Sequence, residues 1–480
     1  MKPNVVLIMA DSLAPQLMGS YGSTAGATPN LDALAQNGVI FDRAYCNSPL
    51  CTPSRASMMT GRYVSEIGAY DNVSSFSSEV PTLNHAFKRA GYQTVLIGKM
   101  HFGGYDQYHG FDQRLAMETD YSTGYNPLRP PYDWTLPSAP NPGGGAWMAA
   151  SYVNDKAWDN YTHHWDRDAA IHKEAIRFFS EKNDNDPPFF CCVSYHHPHN
   201  PFYAPKEIRE RFRENNFTLP SVPSDMNDRY GIMDKWLNDF HSQPEYFDRI
   251  MAADNLRWLY ETYCGMVYDL DCHAGEIIKL LKAKGLDKNT IIVFTSDHGD
   301  MLGHRGMVQK RCFYEYSVRT PLIFSYPDHF PAGLRVKQTV SLLDLFPTFA
   351  SLAGTSVPQE LPGISLLPEA AAKSEIKRLQ GIPDGRIVFA EYLGEGVHAP
   401  CFMAVAGNYK YIRVHGFEEM FFDLENDPEE LENQIASHKY SGIIGELRSS
   451  VLKQFNPDAI AVQALENQRN RNYILEAHKK

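Results

Sequence analysis

The sequence lacks any long hydrophobic segment. No apolar run approaches the roughly 20 residues that a membrane-spanning helix requires. We also expect no signal peptide, because the apolar run at residues 5–9 is followed by Asp11 without a small-residue cleavage site. We therefore expect no membrane association, and we expect the protein to be cytoplasmic.

An excess of positive charge is also absent. The 45 Lys and Arg residues are outnumbered by 57 Asp and Glu residues, which gives a formal net charge of -12. An overall negative field repels phosphate backbones, so the composition excludes nucleic acid as an expected partner. A local cationic pocket for a small anion is still compatible with this charge.

Cysteines at the short spacings of metal-binding motifs are missing as well. The eight cysteines are scattered along the chain, and we expect most of them to be buried free thiols. They are Cys46, Cys51, Cys191, Cys192, Cys264, Cys272, Cys312 and Cys401.

The pattern that is present indicates an α/β protein. Short apolar, β-branched runs alternate with helical stretches over the 480 residues. This length favours one large and one small domain. We place the large domain at residues 1–370 and a smaller domain, with an antiparallel sheet and helices, at residues 371–480.

Four of the predicted strands are followed at once by acidic, lysine or histidine side chains. The strands and the side chains that follow them are residues 5–9 with Asp11, residues 94–97 with Lys99 and His101, residues 189–194 with His197 and His199, and residues 291–296 with Asp297 and His298. Ligands bind beyond the carboxyl ends of the strands in open α/β sheets. We therefore expect these four ends to meet in a single cleft.

Residues 121–165 differ in composition from the rest of the chain. They contain four of the six tryptophans, several tyrosines and prolines, and the run Gly143-Gly144-Gly145. A long irregular insertion of this kind is typical of a binding loop or lid. A packed excursion on the surface explains the same composition, so both interpretations stay open.

The segment that starts at Cys51 is predicted to form a helix. Thr52 suits the N-cap, Pro53 the first helical position and Gly61 the C-terminal end. Cys51 then lies just ahead of the helix N-terminus, where the helix dipole favours an anion. Arg55 lies one turn later on the same face. These features alone fit an activated thiolate, an anion site or a buried inert cysteine.

Two motifs carry a resemblance to a known family. Cys-x-Pro-Ser-Arg at residues 51–55, followed by Thr-Gly-Arg at residues 60–62, resembles the first signature of the type I sulfatases of the alkaline phosphatase superfamily. Residues 91–101 are similar to the second signature throughout. Further similarity at residues 295–299 and 422–428 extends the resemblance over nearly the whole chain. It implies a large mixed, mostly parallel sheet sandwiched by helices, with a smaller C-terminal α+β domain.

The resemblance implies an enzyme that hydrolyses sulfuric esters with an oxidised cysteine. In this family the cysteine matched by Cys51 is converted to formylglycine, whose hydrate is a geminal diol. One hydroxyl attacks sulfur, and deprotonation of the second expels sulfate and restores the aldehyde. A plain serine or cysteine lacks the second hydroxyl and would stall as a covalent ester. A maturing enzyme that generates formylglycine is then an expected partner.

The resemblance also implies one divalent metal ion. Its expected ligands are Asp11, the modified Cys51, Asp297 and His298. Oxygen-rich ligation favours Ca²⁺ or Mg²⁺, of which we expect Ca²⁺, and the imidazole admits Mn²⁺. Ser12 stands where many sulfatases carry a second acid, and His298 stands where asparagine is common. Both departures resemble the choline sulfatase and phosphonate monoester hydrolase branch.

The other site residues are likewise assigned by resemblance, because a sulfate ester needs cationic groups and proton donors around it. Arg55 and Lys99 are expected to hold the diol near the metal, and His101 to act as the base for sulfate expulsion. His199 and Lys310 are expected to grip the sulfate, and one of them to protonate the leaving oxygen. The expected substrate-binding residues are Asn72 and His197, of which His197 fits an orienting role better.

The expected substrate is a small alkyl or choline-type sulfate or a sulfated sugar, and we expect a homo-oligomer. Two alternatives stay open. One is a phosphonate monoester or phosphodiester hydrolase that uses the same residues. The other is a non-catalytic protein that binds sulfated ligands with Cys51 unmodified.

Overall fold

The computed structural model describes residues 2–116, 145–155, 162–357, 360–367, 382–383 and 385–477. Most of the insertion at residues 121–165, including Trp134 and Trp158, lies outside these residues. The predicted domain boundary at residue 370 lies outside them as well. It therefore stays a prediction.

A mixed sheet of nine strands forms the centre of the described structure. Its strands are β1 (Asn4–Ala10), β2 (Val39–Tyr45), β3 (Gln93–Gly98), β4 (Gln113–Leu115), β5 (Phe189–Ser194), β6 (Thr290–Ser296), β7 (Arg319–Thr320), β8 (Leu322–Ser325) and β9 (Leu334–Ser341). They are arranged in the order β4-β3-β5-β1-β6-β8-β2-β7, and β9 pairs with β2. The five strands from β4 to β6 run parallel, whereas β8 is antiparallel to both of its neighbours.

The sheet is covered on both faces, which explains its continuous apolar strands. All seven residues of β1 are buried. Val5, Leu7 and Met9 belong to one hydrophobic cluster. Val6 and Ile8 belong to a second cluster on the other face. Alternate side chains of one strand therefore contribute to two separate layers of core.

Helices supply the outer layers. They are α1 (Pro29–Gln36), α2 (Cys51–Thr60), α3 (Val64–Ile67), α4 (Leu83–Arg89), α5 (Gly145–Ala150), α6 (His163–Glu181), α7 (Lys206–Arg209), α8 (Met226–Arg229), α9 (Ile232–Phe240), α10 (Gln243–Met251), α11 (Ala253–Ala283), α12 (Glu315–Val318), α13 (Leu345–Ala353), α14 (Ser441–Gln454) and α15 (Pro457–Ala477). The two longest helices of the large sheet's outer layers, α6 and α11, precede β5 and β6 in the chain. Gly285, with a φ of 71°, follows α11 in the left-handed conformation that is common for a glycine at a helix end.

A second sheet follows near the C-terminus. Its four antiparallel strands are β10 (Ile387–Tyr392), β11 (Cys401–Ala406), β12 (Tyr409–Val414) and β13 (Glu418–Asp423). A hairpin turn at Gly407-Asn408 joins β11 to β12. The predicted α/β fold with a smaller antiparallel sheet is therefore confirmed.

The cysteines also match expectation. All eight cysteines are free, and all except the half-buried Cys272 are buried. Among the described residues, no helix combines the length and apolar composition needed to cross a bilayer.

Candidate active site

The four strand ends meet at one edge of the large sheet. Strands β3, β5, β1 and β6 are neighbours, and their last residues are in register: Ser194 pairs with both Gly98 and Met9, and Ala10 pairs with Ser296. The polar side chains that follow each strand are thereby brought together, as predicted.

Four potential metal-binding side chains form the centre of this edge. The ligand atoms of Asp11, Cys51, Asp297 and His298 all lie within 4.8 Å of one another, and all four residues are buried. Sγ of Cys51 lies 3.3 Å from Nε2 of His298 and 3.9 Å from Oδ1 of Asp11. Nδ1 of His298 lies 2.9 Å from the carbonyl oxygen of Gly299, so this nitrogen carries the hydrogen. The Nε2 lone pair therefore faces the cluster, which suits a metal ligand.

The local structure around Cys51 differs from the prediction in one respect. Helix α2 begins at Cys51, and the extended residue Leu50 is its N-cap, so the assignment of Thr52 as N-cap is wrong. Gly61 ends the helix with a φ of 66°, as predicted. Burial, with a contribution from Asp11, raises the pKa of the Cys51 thiol to about 12. The unmodified residue is therefore a neutral thiol rather than an activated thiolate.

Buried cations surround the carboxylates. Arg55 is fully buried, and it contacts Asp297 through Nε at 2.8 Å and Asp11 through Nη2 at 3.1 Å. Nζ of Lys99 lies 2.6 Å from Oδ2 of Asp11. Burial alone would raise the pKa of Asp11, but Lys99, His199 and Arg55 together hold that pKa well below its usual value. Asp11 is therefore ionised, as a metal ligand must be.

Lys310 and His199 lie beside the cluster. Nζ of Lys310 is 2.7 Å from Nε2 of His199 and 3.5 Å from Oγ of Ser12. Nε2 of His199 is 3.9 Å from Oδ1 of Asp11. Two side chains that are 111 residues apart thus form one cationic group next to Cys51.

The remaining predicted residues lie at the same edge. The backbone carbonyl of His101, three residues after the end of β3, accepts a 3.0 Å hydrogen bond from Oγ1 of Thr52. Oδ1 of Asn72 accepts a 3.0 Å hydrogen bond from the backbone N–H of Thr52. The imidazole of His197 instead lies 3.1 Å from Oδ2 of Asp269, and only its carbonyl reaches the cluster, where it accepts from the N–H of Asp11 at 3.1 Å.

Sequence reasoning missed an acid that supports this edge. Asp168 on α6 is buried and accepts the backbone N–H groups of His196 at 2.7 Å and His197 at 2.9 Å. These bonds fix the turn that carries His199. No motif spacing reveals this role, because 28 residues separate Asp168 from His196.

The large mixed sheet, with an acidic and imidazole cluster at its carboxyl edge and cations around it, defines a hydrolase of the alkaline phosphatase type. Comparison with known sequences narrows the class. The family model described as Sulfatase matches residues 3–355, and the one described as N-sulphoglucosamine sulphohydrolase, C-terminal matches residues 303–456.

Individual relatives agree with this assignment. The choline-sulfatase of Rhizobium meliloti (strain 1021) is 34% identical over 449 residues, which cover 90% of this chain and 82% of that protein. The iduronate 2-sulfatase of Mus musculus is 30% identical over 401 residues, which cover 75% of this chain and 70% of the relative. The chain therefore belongs to the sulfatase family, and the predicted sulfatase activity class is confirmed.

Solved structures confirm the fold. A protein bound to its substrate D-glucosamine-2-N,6-O-disulfate matches with a TM-score of 0.73 at 24% identity, over 95% of this chain and 99% of that one. The phosphonate monoester hydrolase of Agrobacterium radiobacter matches with a TM-score of 0.70 at 22% identity, over 96% of each chain.

Proposed function

We propose that this sulfatase hydrolyses sulfate monoesters of a small alcohol or sugar, with Cys51 oxidised to formylglycine and one divalent cation, Ca²⁺, bound beside it. The observation that carries the proposal is the buried cluster of Asp11, Cys51, Asp297 and His298 next to the Lys310–His199 pair. We retain residues 1–370 as the catalytic domain, and a formylglycine-generating enzyme as the partner that matures Cys51.

The donor set fits a divalent cation. Asp11 and Asp297 offer carboxylate oxygens, His298 offers the lone pair of Nε2, and residue 51 offers an oxygen once it is oxidised. An ion at this position supplies Lewis-acid polarisation of an ester oxygen and a lower pKa for a nearby hydroxyl group. Arg55 holds both carboxylates in position, and together with Lys99 it keeps Asp11 ionised.

Other side chains of this edge bind the substrate and move protons. Lys310 and His199 bind the sulfate oxygens, and Lys310 gives a proton to the oxygen of the departing alcohol. Because Nε2 of His199 lies 2.7 Å from Nζ of Lys310, the imidazole accepts a hydrogen bond from the ammonium group and orients it for that transfer. His101 accepts the proton of the second hydroxyl on residue 51. Asn72 accepts a hydrogen bond from the N–H of Thr52 and thereby positions the N-terminal end of α2, which carries residue 51.

Kinetics on two model esters test the reaction class. We expect a higher kcat/KM for 4-nitrophenyl sulfate than for 4-nitrophenyl phenylphosphonate. A Cys51→Ala variant should lose turnover, whereas the matched control Cys272→Ala, a cysteine outside the cluster, should retain it. A preference for the phosphonate would instead identify a phosphonate monoester hydrolase.

Mass spectrometry of the Cys51 peptide tests the modification separately. Conversion of the thiol to an aldehyde lowers the peptide mass by about 18 Da. Protein from the native host should carry this change. An intact thiol together with no turnover would leave only a protein that binds sulfated ligands.

Calorimetry tests the metal site without reference to turnover. Chelator-treated protein should bind one equivalent of Ca²⁺, and Asp297→Asn should weaken that binding by about tenfold or more. The exposed control Asp184→Asn should bind like the wild type. Unchanged affinity in Asp297→Asn would remove this residue from the ligand set.

A further inference from the structure

A second cation lies next to the lysine of the sulfate site. Arg311 directly follows Lys310, and it is only 4% exposed. Its backbone N–H donates a 3.0 Å hydrogen bond to the carbonyl of Pro49, two residues before Cys51. Gln309 and Arg311 both have left-handed backbones, with φ of 68° and 86°. Such strain in residues with side chains is typical of functional sites.

The guanidinium of Arg311 has hydrogen-bonding capacity to spare. Its Nη1 lies 3.4 Å from both Nε2 of His241 and Oε1 of Gln309, which are long contacts. Its Nε is buried and makes no hydrogen bond with the described residues. A guanidinium carries five N–H donors, and leaving them unsatisfied in a buried position is costly. An oxyanion would satisfy them in a bidentate manner.

The acid nearest to Arg311 does not saturate it. Oε2 of Glu395 lies 3.9 Å from Nε of Arg311, beyond hydrogen-bonding distance, and accepts no hydrogen bond from the described residues. Burial raises the pKa of Glu395, although Arg311 opposes this. The cationic character of Arg311 is therefore only partly compensated.

Glu395 also connects Arg311 to the N-terminal end of α2, where Cys51 lies. Oε1 of Glu395 accepts a 3.3 Å hydrogen bond from the backbone N–H of Asn72, whose Oδ1 binds the N–H of Thr52. Asn72 and Glu395 are both partly exposed, unlike the four residues of the metal cluster. Arg311 thus adjoins Lys310 and, through Glu395, the more open Asn72 side of Cys51. Under the proposed function, the alcohol part of a bound ester extends toward this side.

We propose that Arg311, with Gln309 and His241, forms an anion subsite for a second acidic group, a carboxylate or a sulfo group, on the alcohol part of the substrate. The inference rests on the proposed function, because it requires the reacting sulfate to lie at Lys310. It also implies that cationic alcohols are rejected, because a quaternary ammonium would face the guanidinium.

Three para-substituted phenyl sulfates test the subsite: 4-sulfooxybenzoate, 4-sulfooxybenzenesulfonate and 4-(trimethylammonio)phenyl sulfate, each compared with 4-nitrophenyl sulfate. Arg311→Gln should lower kcat/KM for one or both anionic esters by about ten- to a hundredfold relative to the neutral ester. The cationic ester should gain relative to the neutral one. Arg311→Lys should retain part of the preference, and the exposed control Arg335→Gln should retain all of it. The carboxylate and sulfonate esters identify which acidic group is bound.

Equal effects of Arg311→Gln on anionic, neutral and cationic esters would overturn the subsite. So would a wild-type preference for the cationic ester, which would assign Glu395 as the recognition group instead. Absence of turnover on all four esters would contradict the proposed function, and binding then decides the subsite. In a Cys51→Ala background, calorimetry should show that Arg311→Gln weakens 4-sulfooxybenzoate binding more than 4-nitrophenyl sulfate binding. Equal weakening would overturn the inference.

Discussion

Nζ of Lys310 lies 2.7 Å from Nε2 of His199. Nδ1 of His199 lies 2.5 Å from the carbonyl oxygen of Asn200, so Nδ1 carries the hydrogen and Nε2 accepts from the ammonium group. The two side chains therefore form a single donor unit next to Asp11. Neither can be altered without changing the protonation and position of the other.

The first prediction is that Lys310 and His199 act non-additively. Each single substitution, Lys310→Ala or His199→Ala, should lower kcat/KM for 4-nitrophenyl sulfate by about 100- to 10,000-fold, as expected for a lost proton donor. The double variant should lose little more than the worse single variant, because the unit is already broken. The exposed control Lys453→Ala should match the wild type. Multiplying losses in the double variant would mean that the two residues act independently.

The second prediction concerns Asp168 as a positioning residue. Asn at this position has one carbonyl oxygen and cannot accept the N–H groups of both His196 and His197 as the carboxylate does. We expect Asp168→Asn to lower the free energy of unfolding by about 1–3 kcal/mol. We also expect kcat to fall more than KM rises, since His199 is displaced.

Asp269→Asn is the matched control for that experiment. Asp269 contacts the imidazole of His197 at 3.1 Å and leaves the backbone bonds to Asp168 intact. It should therefore reduce kcat less than Asp168→Asn does. Equal reductions would show that the backbone bonds to Asp168 are not what positions His199.

The parts of the fold that local pattern determines could be predicted from the sequence. The strands around β1 are buried on both faces, so their apolar runs are continuous and end abruptly at polar residues. Because these strands are parallel neighbours, the residues after them had to meet. The motif around Cys51 identified the remaining member of the cluster, although the helix begins at Cys51 and not after Thr52.

The supporting contacts could not be predicted in this way. Asp71 and Arg471 form a bidentate ion pair across 400 residues of sequence, and no spacing rule connects the two residues. Asp168 was visible only as part of a helical stretch. Such contacts depend on how α6 and α15 pack against the sheet and loops, and neither periodicity nor spacing encodes that packing.

The third prediction is a pH-dependent stability from Glu391. Its Oε1 accepts hydrogen bonds from N–H of Ser65 at 2.8 Å and from Oγ of Ser65 at 3.0 Å, while burial, with Glu66 adding to it, raises its pKa to about 7 from 4.5. The folded state therefore binds a proton that the unfolded state releases between these pH values. This stabilisation is complete below pH 4.5 and is lost as the pH rises through about 7.

Denaturant unfolding of the wild type and Glu391→Gln between pH 5 and pH 8 measures this effect. The wild type should lose about 2.5 kcal/mol relative to the variant over that range, because glutamine stays neutral. The exposed control Glu466→Gln should follow the wild type. Parallel curves for wild type and Glu391→Gln would mean that Glu391 is already ionised at pH 5.

The fourth prediction concerns the ion pair between Arg471 on α15 and Asp71. Nη1 and Nη2 of Arg471 lie 2.9 and 2.7 Å from the two carboxylate oxygens, and the side chain of Asp71 is only 3% exposed. Asp71 precedes Asn72, which holds the start of α2 through Thr52. The C-terminal helix therefore supports the loop that lines the candidate active site.

Removal of the guanidinium leaves a buried carboxylate without its partner. Arg471→Met should lower the free energy of unfolding by about 3–5 kcal/mol, and adding Asp71→Asn should recover much of that loss, because the unpaired charge disappears. Arg469→Met, an exposed change on the same helix, is the control and should be neutral. Urea denaturation measures all four proteins, and kcat/KM for 4-nitrophenyl sulfate reports whether the Asn72 loop has shifted. If the double variant were less stable than Arg471→Met, the cost would come from lost packing of α15 and not from the unpaired, buried charge of Asp71.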